Sequence, residues 1–394
     1  MLPRIKISYE NGLLGTQAEN KDGYFLLLGG AVTVAETFAL HTAYEVRKLS
    51  ELGKLGVTAE NNPGLYKLVR DFYSIAEEGT KALVMGFERA KKFVDICEFE
   101  SGILKTAIRD LKGDVRAVFI VRDPSADEEV SVTDGLDEDV FDALPLAQKV
   151  GEWSASELYA PIFTVLEGRS YSADMTLKDL SKEKYNRVGI MIGDTESSSK
   201  RAAIGLLAGR LAMSPVQRNV GRGKDGALSP PAMYIGDTLV EKNMDEISNM
   251  YDKGYITPRI YIGKSGYYFT DDRLAVDPTD DYSHITNRRV IDKAARIAYG
   301  TLLNFMLDEI EVNEDGTMQP AIVKNWQTAI EDAVNRSMTA KGELSASNGS
   351  GCKCYIDETV NVLATSTINV VLRVRPFGYA RFIDVELGFL VTNA

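Results

Sequence analysis

Near the end of the chain, residues 368–390 read INVVLRVRPFGYARFIDVELGFL. Two runs in this segment alternate apolar side chains with polar or charged ones, which is the pattern of a β-strand with one buried face. The apolar positions are Ile368, Val370, Leu372 and Val374 in the first run, and Ile383, Val385, Leu387 and Phe389 in the second. A turn at Pro376-Phe377-Gly378 separates the runs. We therefore predict two amphipathic strands at this end of the chain.

The first residues of the chain have the same period of two. Ile5, Ile7 and Tyr9 alternate with Arg4, Lys6 and Ser8. The connector that follows contains Gly12, Gly15, Asn20 and Gly23, so this strand has no hairpin partner next to it in sequence. Its partner must be remote, either inside the same subunit or in a neighbouring one.

From about residue 44 to 192 the pattern alternates helices and strands. Repeated βα units build an open sheet with helices on its faces, so we predict an α/β fold here. The predicted strands are 82–87, 115–122, 161–166 and 188–192, and the predicted helices are 65–78, 102–111, 140–158 and 197–212. Thr195 and Ser197 to Ser199 offer caps for the last helix.

The pattern of predicted elements changes near Gly254. Before this point, residues 216–232 are rich in Gly and Pro and include a cluster of basic residues. We predict two short strands at 259–263 and 266–270, then a helix over 285–310. A further helix has Pro320 in its first turn and ends before Gly342. Its apolar stripe is Ile322, Val323, Trp326, Ile330, Ala333 and Val334.

The composition narrows the possible functions. A length of 394 residues predicts two domains or one with a large insertion, and a net charge of -12 opposes general nucleic-acid binding. Two histidines, His41 and His284, exclude a three-His metal site and lower the expectation of an enzyme. Three thiols fit a reducing compartment, and no signal peptide or membrane span is predicted. We expect a soluble protein made in the cytoplasm.

Two motifs resemble phosphate-binding loops. Gly221 to Gly226 has the letters of a dinucleotide fingerprint, but the strand before it and the helix after it are missing, so a mobile basic loop is favoured. Gly193 to Lys200 lies between a strand and a helix, the right place for an anion. It lacks the P-loop pattern, and Asp194 and Glu196 would repel phosphate, so ordinary capping is favoured.

We interpret three further groups of residues as structural and not as binding sites. Cys352 and Cys354 share a strand face but lack further metal ligands. The acidic tract at 123–142 is interpreted as a solvated loop and the first turn of a helix. Asp271-Asp272 and 277–281 are interpreted as a polar linker, with a weak ion site left open. We predict no catalytic, cofactor-binding or metal-binding residue.

The stretch from about Gly254 to Ala394 resembles the C-terminal region of contractile-tail sheath proteins, a family of phage tails, tailocins and related injection machines. The resemblance lies in the order of the strand pair, the helix from Ile285, the Trp326 helix and the closing strands. It implies a mixed α/β (α+β) protein with four parts. These are an N-terminal arm at 1–23, a variable outer domain at 24–253, a sheath domain at 254–378 and a C-terminal arm at 379–394.

The resemblance also implies how subunits join. Family sheaths are linked by strand exchange, in which terminal arms of neighbours complete a sheet in the C-terminal domain. The implied inter-subunit strands are Arg4, Ile5, Lys6, Ile7 and Tyr9 at one end, and Ile383, Asp384, Val385, Glu386 and Leu387 at the other. Outward Arg4 and Lys6 would face outward Asp384 and Glu386, pairs that contribute ~0.2–1 kcal/mol each. Pairing of both strands inside one subunit is the alternative.

The implied function is mechanical: a virion or particle tail sheath that polymerises around a tail tube and contracts to drive it through a cell envelope. The implied partners are the tube, baseplate and terminator proteins, with no cofactor and no direct contact with membrane or nucleic acid. Arg288, Arg289 and Lys293 are the candidate tube contact. The alternative is a soluble α/β enzyme or ligand-binding protein with its site near 194–199. A tail-tube or baseplate protein is a third possibility, and the long α/β insertion argues against a tube subunit.

Overall fold

The structure, a computed structural model, describes residues 21–125 and 128–387. The predicted strand at 4–9 lies outside these residues. The chain divides into two compact units, Met1–Tyr299 and Gly300–Ala394. The predicted boundaries of the arms and of the sheath domain stay predictions.

The strands of the described residues are short outside one main sheet. They are β1 (Phe25–Ala31), β2 (Tyr44–Val46), β3 (Ala82–Glu88), β4 (Ala117–Val121), β5 (Val132–Thr133), β6 (Leu136–Asp137), β7 (Phe163–Glu167), β8 (Lys184–Tyr185), β9 (Val188–Met191), β10 (Tyr234–Ile235), β11 (Thr238–Leu239), β12 (Pro258–Arg259), β13 (Tyr268–Phe269), β14 (Ala275–Val276), β15 (Cys352–Ile356) and β16 (Val370–Val374).

The main sheet of the first unit has the strand order β2-β3-β1-β4-β7-β9. All its pairs are parallel except that of β2 with β3. Every residue of β1, β4 and β7 is buried, so both faces of the sheet are covered. The sequence of a parallel strand that is covered on both faces is a nearly continuous apolar run, and the sequences of these strands have this character. The predicted α/β fold is confirmed.

Helices connect the strands of the sheet, and one long helix, with part of a second and a short third, lies in the second unit. They are α1 (Ser50–Lys54), α2 (Pro63–Ile75), α3 (Phe93–Cys97), α4 (Ile103–Asp110), α5 (Glu138–Ser156), α6 (Ile204–Met213), α7 (Met244–Asp252), α8 (Ile285–Leu302), α9 (Pro320–Ser337) and α10 (Val362–Thr365).

Two glycines of α6 let this helix lie directly against α2. A Cβ atom at Gly205 would lie 2.3 Å from the backbone oxygen of Leu68, and one at Gly209 would lie 2.5 Å from that of Phe72. Contacts this short cannot be relieved by rotating a side chain, because the obstructing atoms belong to the backbone of α2. The close packing of α2 and α6 therefore depends on glycine at both positions.

Two predicted helix bounds are wrong. The helix predicted from Ser197 begins at Ile204 instead. Asp194 accepts a hydrogen bond from Thr195 N at 2.7 Å and Ser198 has a φ of 57°, so the intervening residues form a loop. The helix predicted to end at 310 ends at Leu302, before a turn in which Leu307 has a φ of 63°.

The segment after Gly254 is tied to the first unit up to its end at Tyr299. β12 and β13 pair, which confirms the predicted pair of short strands. Ile256 forms a parallel bridge to Met191, and β14 pairs with β8. Among the described residues, no helix has both the length and the apolar character needed to cross a bilayer.

Candidate assembly surface

The second unit is built on an antiparallel pair of strands, β15 and β16. Cys352 lies opposite Val374 and Ile356 opposite Val370. Along β15, Cys352, Cys354 and Ile356 are buried while the two residues between them are exposed. The predicted alternation of residues 368–374 is confirmed by β16, and the thiols of Cys352 and Cys354 lie on one face of β15 as predicted. Both cysteines are free and buried inside the unit.

Helix α9 covers the buried face of this pair. Its buried side chains are Val323, Trp326, Ile330 and Val334, which confirms the predicted stripe. Trp326 stacks on Phe305 at 4.5 Å between ring centroids. The helix is followed by a short 3-10 turn that ends at Gly342, whose φ of 71° is in the left-handed region that favours glycine.

The outer edge of β15 is closed by two side chains of its own unit. Glu331 Oε1 accepts a hydrogen bond from Cys354 N at 2.8 Å. Ser350 Oγ donates to Cys352 O at 2.8 Å and accepts from Cys352 N at 3.4 Å. Three of the four backbone groups that point away from β16 at these two residues are therefore already used. An exposed strand edge protected in this way resists pairing with another chain.

The outer edge of β16 is open in the described subunit. Asp357 N donates to Asn369 O, and Arg375 N donates to Gly351 O. Because hydrogen-bonded residues alternate along an antiparallel pair, the backbone groups of Val370, Leu372 and Val374 point away from β15. The sheet contains only β15 and β16 among the described residues, so nothing pairs with this edge. The side chains of the same three residues are only half-buried.

The chain then continues through residues 376–387 without a strand. The predicted second strand is therefore absent within the described subunit, because no neighbouring strand is present to pair with its backbone. Its apolar side chains are largely exposed: Phe382 at 78%, Ile383 at 75%, Val385 at 72% and Leu387 at 91%. Burying one such side chain contributes about 1.5–3 kcal/mol. This segment therefore has a strong tendency to associate.

The three cations predicted to contact a tube lie on α8 and are buried in the first unit. Arg289 Nη2 donates to Ser214 O at 3.0 Å, and Lys293 Nζ lies 2.5 Å from Asp22 Oδ2. Arg288 lies over the ring of Tyr282, and its burial lowers the pKa of the guanidinium to about 10. These head groups bond internal partners, so the three cations do not form an exposed basic face. A tube contact through them stays a prediction that requires those bonds to be remade.

The sequence analysis did not identify Asp22, whose carboxylate bonds two cations of α8. It precedes β1, and besides Lys293 its carboxylate accepts a hydrogen bond from Arg296 at 3.2 Å. Burial alone would raise the pKa of Asp22, but the hydrogen bond and charge of Lys293 outweigh burial, and the pKa is lowered. The carboxylate fixes the segment just before β1 against α8.

The two loop motifs are held by internal contacts. Arg210 donates to the carbonyl oxygens of Asp225 at 2.6 Å and Gly226 at 3.0 Å, which organises the glycine-rich loop. This agrees with a loop and not a dinucleotide site, since no strand–glycine–helix turn forms there. In the second motif, Asp194 is buried and lies 2.7 Å from Lys67 Nζ. Its negative charge is thus balanced within the fold.

The acidic tract is not wholly a solvated loop. Asp123, Asp137 and Asp139 are buried, and Asp139 accepts backbone hydrogen bonds from Phe93 and Val94. Desolvation raises the pKa of Asp139. These acids therefore hold loops at the edge of the sheet.

The Asp271-Asp272 pair is also buried rather than a polar linker. Asp272 Oδ2 accepts from the Thr286 backbone N at 2.7 Å, in the first turn of α8. Asp271, Asp272 and His284 place ligand-type atoms within 4.8 Å of one another. Asn219 and Thr286 already bond the oxygens of Asp272. The pair is best described as a cap that ties the start of α8 to the preceding loop.

Comparisons with known proteins cover almost the whole chain. The family models described as the N-terminal and C-terminal domains of DUF2586 match residues 2–273 and 281–394. No curated protein matches in sequence.

Several solved structures have the same fold. A chain of the anti-feeding prophage baseplate is 13% identical with a TM-score of 0.62, and 99% of each chain is covered. A chain of the PVC sheath complex, an extracellular contractile injection system in its contracted state, is 13% identical with a TM-score of 0.61 and covers 98% of this chain and 97% of that one. The sheath tail protein of Desulfitobacterium hafniense is 9% identical with a TM-score of 0.52, covering 90% and 94%. The predicted resemblance to sheath proteins is confirmed at the level of the fold.

Proposed function

The chain belongs to the DUF2586 family, and on that premise and its sheath-protein fold we propose that it is a structural subunit of a contractile sheath. The observation that carries this proposal is a pair of complementary surfaces, a strand edge without a partner strand and an exposed apolar segment. Among the described residues of the second unit, the outer edge of β16 is open and the alternating segment at 383–387 is exposed. Association of subunits would satisfy both.

Strand addition would join these surfaces. In this proposal, Ile383, Asp384, Val385, Glu386 and Leu387 of one subunit pair with β16 of the next. Backbone groups of Val370, Leu372 and Val374 supply the hydrogen bonds, and the alternating side chains set the register. Asp384 and Glu386 then lie on the outer face beside Arg373.

The N-terminal strand at 4–9 would add next to this segment and bring Arg4 and Lys6 opposite the two acids. Such cross-strand pairs contribute ~0.2–1 kcal/mol each, and they repeat along the polymer.

The role is mechanical and not catalytic. A sheath assembles in an extended state and contracts to a lattice of lower free energy once a kinetic barrier is crossed. The strand links persist through this change while contacts between subunit bodies are remade. A tail tube, a baseplate and a terminator protein are the proposed partners, and a phage tail or related injection particle, assembled in the bacterial cytoplasm, is the proposed location.

Negative-stain electron microscopy of the purified protein tests the proposal. We expect striated tubes or rings with a cogwheel outline at high protein concentration. A monodisperse small oligomer under all conditions, including in the presence of the tube protein, would contradict it.

A further inference from the structure

A cavity of about 420 Å³ lies within the first unit, at the carboxyl edge of the main sheet. Its lining comes from the loops after β4, β7 and β9 and from the first turns of α2. The strand order reverses between β1 and β4, since β3 lies on one side of β1 and β4 on the other. In open α/β sheets, ligands bind outside the carboxyl ends of the strands at such a reversal. The volume falls in the range of small-molecule sites, about 300–1,000 Å³.

Positive charge dominates the lining. Five cationic residues contribute to it, Lys67, Arg70, Arg169, Lys200 and Arg201, against two acids, Glu128 and Glu196. Cationic side chains that converge on one cavity favour a ligand with several negative charges.

Buried acids behind the lining fix the positions of the cations. Lys67 Nζ lies 2.8 Å from Asp71 and 2.7 Å from Asp194, and Arg201 pairs with Asp123. The objection that Asp194 repels phosphate therefore does not hold, because Lys67 lies directly against it. Preorganised head groups lose little entropy when a ligand binds.

Two of the cations differ in how they can act on a ligand. The Arg169 side chain is 4% exposed, its Nη1 donates to Arg122 O at 3.3 Å, and its shielded Nε lies 3.8 Å from Asp137 Oδ2. An anion in the cavity is therefore attracted by the charge of Arg169. Lys200 is exposed, no acid of the described residues lies within ion-pair distance of it, and its ammonium group can bond the ligand directly.

We propose that this cavity binds a small molecule that carries two or more phosphate groups. Lys67 and Arg169 supply positive charge from the buried side of the site, since the three donors of Lys67 already bond Asp71, Asp194 and Thr195. Arg70 and Lys200 are the more exposed cations that would contact the ligand. The site is separate from the assembly surface of the second unit and does not depend on the sheath function.

Isothermal titration calorimetry of the full chain with sodium pyrophosphate and with ADP, at low ionic strength, tests the proposal. The double variant Arg70→Ala/Lys200→Ala removes the rim cations, and Arg109→Ala/Lys324→Ala removes the same charge at exposed positions outside the cavity lining. Ala59→Trp fills the cavity without changing any charge, since Ala59 is exposed and lines it.

We expect saturable binding at one site per chain. The rim variant should bind at least tenfold more weakly, Ala59→Trp should not bind, and the charge-matched control should stay within twofold of the wild type. Tighter binding of ADP than of pyrophosphate identifies a nucleotide, and equal binding identifies the phosphate groups alone. Absence of saturable binding by the wild type, or equal loss in both double variants, would overturn the proposal.

Discussion

Asp22 Oδ2 and Lys293 Nζ lie 2.5 Å apart and join the residue before the first strand of the sheet to the middle of α8. Both side chains are largely buried, with 19% and 10% exposed. Arg296 bonds the other oxygen of the same carboxylate. The segment just before β1 is therefore fixed against α8 by one acid shared between two cations.

Replacement of this acid should destabilise the first unit. Asp22→Ala leaves two largely buried cations facing a site without its carboxylate, and we expect a loss of about 3 kcal/mol in the free energy of unfolding. Chemical denaturation monitored by circular dichroism measures the loss. The matched control is Asp110→Asn, an acid with 64% of its side chain exposed, for which a change below about 0.5 kcal/mol is expected.

The same carboxylate predicts a pH dependence. Its pKa is lowered in the folded protein, so its contribution is present above the unfolded pKa of about 3.9 and is lost as pH falls through the folded pKa. Wild type should therefore lose more stability than Asp22→Asn between about pH 4 and pH 2. Parallel slopes of unfolding free energy against pH for the two proteins would show that Asp22 does not carry this effect.

Charges placed in the exposed C-terminal segment should block assembly without affecting the fold. Val385→Asp/Leu387→Asp changes side chains that are 72% and 91% exposed, so the monomer should keep its stability within about 0.5 kcal/mol. Strand addition would bury these positions, and we expect no sheath by electron microscopy. Deletion of residues 380–394 should behave in the same way. Glu386→Gln, with its apolar neighbours intact, is the control that should still assemble.

Proline substitutions distinguish the two edges of β16. Leu372→Pro removes an N–H that points away from β15, whereas Arg373→Pro removes one that bonds to it. The first variant should give a folded monomer that does not form sheath, and the second a locally unfolded second unit that limited proteolysis cleaves. Sheaths of normal appearance from Leu372→Pro would exclude β16 as the accepting edge.

The close packing of α6 on α2 gives a further prediction. Gly205→Ala places a methyl group against the backbone oxygen of Leu68 and should cost about 1–3 kcal/mol. Gly300→Ala is the matched control, because nothing lies within 4 Å of its added Cβ atom. That change in α8 should be neutral or stabilising by up to about 1 kcal/mol. Equal thermal stability of the two variants would contradict the packing argument.

The local patterns of the sequence predicted much of the fold. β3, β4, β7 and β9 are short apolar runs and α9 has a helical stripe, and all were placed within a few residues. The central strand β1 was missed, because its apolar run FLLLGGA contains a glycine pair.

The candidate sites were harder to predict, because they depend on residues distant in sequence. Periodicity describes which face of an element is buried but not which remote group lies against it. The burial of Arg288 follows from its position against Tyr282 and Asp292 in the folded unit, and a basic helix face looks the same in sequence whether exposed or covered. The closure of the β15 edge by Glu331 is invisible for the same reason.

That closure has a consequence for growth. The proposed link joins the open edge of β16 to the 383–387 segment of a neighbour, and these two surfaces are unlike. Like surfaces cannot pair, so this link does not close as a two-fold dimer and repeats head to tail. Such a repeat gives a row of subunits with a direction, and Glu331 and Ser350 limit strand addition at the opposite edge of the sheet.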